Sequence, residues 1–101
     1  MIVVVESGGA RLDHAHDYTE IEVLVPDSLP PHDVGEALSG AALGGVTGAL
    51  LHLDVPGLAR TLRAHNAYAA RWFEAAVGCA SLRGWVRDGD RLSREIGAVG
   101  S

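Results

Sequence analysis

The densest set of potential ligands in the chain is Asp13, His14, His16 and Asp17. In an extended segment His14 and His16 project to the same side, about 6.6 Å apart along the chain. That separation suits two ligands of one divalent metal, with His32 available as a third. A solvated polar loop has the same composition, and the two readings differ in whether a metal is held. His65, with Asn66 beside it and Tyr68 nearly one turn further on, is a candidate acid/base because imidazole titrates near neutrality. The alternatives for His65 are a core histidine bonded to a carbonyl, or a residue at a partner interface. Cys79 has no histidine near it in sequence and reads as a small apolar filler. Ser7, Gly8 and Gly9 follow a β-branched run, but no lysine and no second glycine set completes a phosphate loop. Spacing alone assembles no nucleophile, base and acid, and it implies no cofactor.

The elements that must position these residues are organised around Asp54 to Leu82. Val55, Leu58, Leu62, His65, Ala69, Trp72, Ala76 and Cys79 recur at steps of three and four, while Arg60, Arg63, Arg71 and Glu74 fall off that line. The spacing predicts one long amphipathic helix. Asp54 is suited to cap it, its carboxylate accepting from the free N–H groups of the first turn, and Pro56 is tolerated there. Upstream, Asp33 and Glu36 stand as N-cap and capping-box partner for a second helix over Val34 to Leu51. Gly40, Gly44 and Gly48 would lie on one face of it, four residues apart. Each helical glycine costs about 1 kcal/mol relative to alanine, so such a row predicts close packing against another backbone. The Asp54 helix, joined by His52 and Leu53, is the expected partner in an antiparallel helical hairpin over 33–82.

Ile2 to Val5 and Tyr18 to Val25 read as strands, and they can pair as an antiparallel hairpin within a β-rich segment over 1–26. Asp88 and Gly89, between Trp85–Arg87 and Arg91–Leu92, signal a C-terminal hairpin over 84–96, with a short helix capped by Asp90 as the alternative. The expected fold is therefore α+β: an N-terminal β-hairpin, a two-helix antiparallel hairpin, and a C-terminal β-hairpin or short helix, in a single domain over 1–101.

Composition narrows the function classes. The 101 residues carry a formal charge of −5, and the eight basic residues are all arginine, spread from Arg11 to Arg94. Nucleic acid is not an expected partner, since a polyanion needs a clustered basic surface. Ala37 to Leu51 is uncharged but shorter than the ~20 residues of a membrane span, so no span is expected. One cysteine cannot form an internal disulfide. The N-terminus lacks the basic opening and long apolar run of a signal peptide, which points to the cytoplasm, or to secretion without such a peptide.

The segment Leu43 to Ile96, with Gly44, Gly45, Val46 and Gly48 leading into Leu62, Arg63, Ala64, His65 and Asn66, then Ala69, Ala70, Arg71, Trp72 and Asp90, resembles the small helical-hairpin proteins associated with actinobacterial type VII (ESX) secretion, of the EspC-like and WXG kinds. The resemblance implies secreted or partner-binding pairs, in which two hairpins form a four-helix bundle. Gly84 precedes Trp85 in place of that family's Trp-x-Gly turn. Tyr18 and Glu22 have the spacing of its secretion signal, but lie before the helices.

The expected function is a non-catalytic protein–protein interaction module, a homo-oligomer or the partner of a small helical protein. Its expected interface is Gly40, Gly44, Gly48, Leu58, Leu62, His65, Tyr68, Trp72 and Phe73, because the uncharged helix is apolar nearly all round and one facing helix covers only part of it. The alternative is a small α+β enzyme or ligand-binding protein with a pocket between sheet and helices, using His65 or the His14/His16 pair.

Overall fold

The computed structural model of the chain describes residues 1–13, 21–65 and 73–99. The β-branched run forms β1 (Ile2–Glu6), which turns through Ser7 and Gly8 straight into β2 (Gly9–Asp13), with Glu6 opposite Gly9 and Ile2 opposite Asp13. Gly8 takes the positive φ of 89° that this tight turn needs. Arg11 bridges Glu6 at 3.3 Å and Asp13 at 3.1 Å along the open side of the ribbon. The third strand, β3 (Glu22–Leu24), lies on the other side of β1 and runs parallel to it.

This corrects the expected pairing of Ile2–Val5 with Tyr18–Val25 as an antiparallel hairpin. The two-residue turn makes the residues just after it the antiparallel neighbour. Because β2 ends beside Ile2 and β3 begins beside Ile2, the third strand can only run back in the direction of β1. Val3, Val5, Leu12 and Val23 fill the inner face of this sheet.

Helix α1 (Pro31–Gly40) starts on Pro30 in extended conformation, with Pro31 in the first turn, where its missing N–H leaves nothing unpaired. Asp33 is thus a first-turn residue and not the N-cap, and Glu36 pairs with His32 at 3.3 Å instead of closing a capping box. The helix also stops at Gly40, eleven residues short of Leu51. The stop is a Schellman turn: Ala42 N–H donates to Ser39 O at 3.0 Å, Leu43 N–H donates to Leu38 O at 3.0 Å, and Ala42 takes the left-handed φ of 58°. Leu38 and Leu43, brought together across that turn, are both buried.

The residues expected to continue the helix form a second hairpin, β4 (Gly44–Thr47) and β5 (Leu50–Asp54), turning through Gly48 and Ala49. Gly40, Gly44 and Gly48 therefore share no helix face. A side chain at Gly44 would fall inside the carbonyl of His52, so a close backbone approach is made there to a neighbouring strand, while side chains at Gly40 and Gly48 would meet nothing within 4 Å. The predicted 33–82 helical hairpin is replaced by α1, a β-hairpin and, among the described residues, two further helical spans.

Asp54 then caps α2 (Val55–His65), its Oδ2 accepting from Gly57 N–H at 3.1 Å as the sequence indicates. The stretch continues in α3 (Phe73–Leu82). Asn66, Ala69, Tyr68 and Trp72 lie outside the described residues, as do His14, His16 and Tyr18. Finally β6 (Val86–Asp88) and β7 (Arg91–Glu95) form the C-terminal hairpin around Gly89 and Asp90, and a short 3-10 turn, Ile96–Ala98, follows. β7 pairs with β5, giving a four-stranded sheet in the order β4-β5-β7-β6.

Among the described residues, the buried side chains of both sheets and of helices α1, α2 and α3 form one core. Leu58 and Leu62 are fully enclosed and Phe73 is 5% exposed, so these expected interface residues are core residues. His65, placed by its spacing in the apolar line, is exposed. Of the apolar residues in Ala37–Leu51, Ala37, Leu38, Leu43 and Leu51 are buried, which leaves Leu50 as the large apolar side chain of that segment exposed. Among the described residues the large exposed apolar side chains are Leu24, Leu50 and Val86. No helix among them is long and apolar enough to cross a membrane.

The junction of α1, β4 and α2 sets a testable pair of substitutions. A side chain at Gly57 would fall inside the Ala42 carbonyl, so Gly57→Ala should destabilise by on the order of 3 kcal/mol. Ala42→Gly relieves the left-handed strain and should stabilise by about 1 kcal/mol, a rise in Tm of ~4–8 °C. Thermal melts of the two variants moving in the same direction would contradict this junction.

Candidate functional site

Two features of the fold bring polar side chains together. Gly35 of α1 packs onto Val46 of β4, where an added Cβ would be 3.4 Å from the valine side chain, and this lets the helix lie close along the β4 edge. On β5 the strict alternation of Leu51, Leu53 inward and His52, Asp54 outward turns the two polar groups away from the core. Between α1 and the β4–β5 hairpin lies an open groove of about 820 Å³, with His32, Glu36 and Ser39 along the helical side, His52 on the strand side, and a floor of Gly44, Gly45 and Val46. A smaller cleft of about 240 Å³ shares Ser39 and His52 with it and extends to Asp54 and Arg91.

His52 is the central group. Its ring lies over Gly45, where a Cβ would meet Cε1 at 3.1 Å and Nε2 at 3.2 Å, so a side chain there would push the imidazole back by a few tenths of an ångström. Its Nε2 is 3.4 Å from Thr47 Oγ1 across the hairpin. Burial pushes its pKa below the ordinary 6.5, the positive charge of Arg91 lowers it further, and Asp54 opposes both. At neutral pH His52 is therefore an uncharged imidazole with one donor and one acceptor nitrogen.

Ser39, His52 and Asp54 line one cleft, which are the residue types of a hydrolytic triad, but they are not wired as one. Among the described contacts His52 Nε2 faces Thr47, and Asp54 Oδ2 is engaged by the Gly57 N–H. A relay needs the base on the nucleophile and the acid on the base. The arrangement instead offers hydroxyl, imidazole and carboxylate groups along an open trough, which is suited to hydrogen-bonding a polar ligand.

The other sequence candidates are dispersed. His32, Asp33 and Glu36 place ligand atoms within 4.8 Å of one another on the exposed first turns of α1. The pair with which His32 was expected to act, His14 and His16, lies outside the described residues. Cys79 is half-buried on α3, and Ser7–Gly8 is simply the β1–β2 turn. His52 does not stand out in the sequence because His52 and Leu53 read as the linker between two expected helices. The signal that marks it is the in-out alternation from Leu51 to Asp54 following Gly48.

The pH dependence follows from the sign of the shift. With the folded pKa below the unfolded value, the unfolded chain binds the proton more readily, so the contribution of His52 is present above pH 6.5 and is lost as pH falls from there through the folded pKa. Urea unfolding at pH 7.5 and 5.5 should show a smaller loss of stability for His52→Gln than for the parent chain. An equal loss in both would contradict the assignment.

No family model, curated protein or solved structure matches this chain.

Proposed function

We propose that this chain is a non-catalytic binding module that recognises a polar segment of a partner protein in the groove between α1 and the β4–β5 hairpin. The observation that carries this reading is His52, set over Gly45 and beside Thr47, in a trough whose other hydrogen-bonding side chains are Ser39, Glu36 and His32. A shallow trough of mixed donors and acceptors suits an extended segment better than a small enclosed substrate. The apolar residues once expected to make the contact, Leu58, Leu62 and Phe73, are occupied in the core, so recognition falls to this polar surface and to the exposed ends of the strands.

Selection of a random-peptide display library on the immobilised chain tests the reading. Peptides enriched on the parent protein should bind at least tenfold more weakly to His52→Ala and to Gly45→Val, in which the new side chain displaces the ring while suiting the strand. Circular dichroism checks that both variants remain folded. Enriched peptides that bind all three chains equally would sink the proposal.

A further inference from the structure

We draw no further inference here: the strongest candidate, the side-chain cluster of His32, Asp33 and Glu36 on the exposed first turns of α1, carries nothing because no second observation among the described residues points to a ligand there.

Discussion

The rest of the structure depends on the turn at Ala41–Gly44, where α1 stops. Continuing the helix would require Gly44, Gly45 and Gly48 in helical conformation, at about 1 kcal/mol each relative to alanine. Stopping it places Ala42 at a left-handed φ of 58°, which costs roughly 1–2 kcal/mol. Two hydrogen bonds to Leu38 and Ser39 carbonyls and the burial of Leu43 against Leu38 offset that cost, the burial alone contributing about 2 kcal/mol. The chain leaving the turn is then held on both sides: Leu43 O accepts from Asp54 N–H at 2.8 Å, and the Ala42 carbonyl presses against Gly57 at the start of α2.

From this junction the second sheet follows. Once Gly44–Thr47 is a strand, Leu50–Asp54 folds back on it, and the alternation along β5 decides what faces the core and what faces out. The same register lines up Asp54, Arg91 and Asp88 across three strands and sets His52 beside Gly45. Burial is the main force lowering the pKa of His52; the Arg91 cation held in register between two carboxylates lowers it further, and Asp54 partly compensates. Sheet register, in other words, tunes the chemistry of the groove.

Core and surface are partitioned in a way that bears on function. Among the described residues, the helices and sheets place most of their large apolar side chains in one shared core, and α3 is further tied to β6 by Arg87 and Glu74 at 3.3 Å. The surface outside that core offers hydrogen-bonding groups in a polar trough beside α1 and, among the described residues, along the open strand edges. Interaction through such surfaces relies on geometry and backbone pairing more than on apolar area.

Much of the fold was legible in local chemistry. The β-branched run of β1, the Asp54 carboxylate poised before Pro56 and Gly57, the Asp88–Gly89 hairpin and the inward rows of Leu58 and Leu62 all follow from preferences a few residues long, and the structure keeps them. Of the i, i+4 glycines, Gly44 makes the expected close backbone approach, while a side chain at Gly40 or Gly48 would meet open space. Their spacing, however, is compatible with a helix face and with a strand that crowds its neighbour, and only the position of the His52 carbonyl over Gly44 selects the second. The parallel entry of β3 and the assembly of the His52 trough were likewise settled by tertiary structure. Each depends on which distant segment lies alongside, a fact set by burial of the whole core and not by the residues that make the contact.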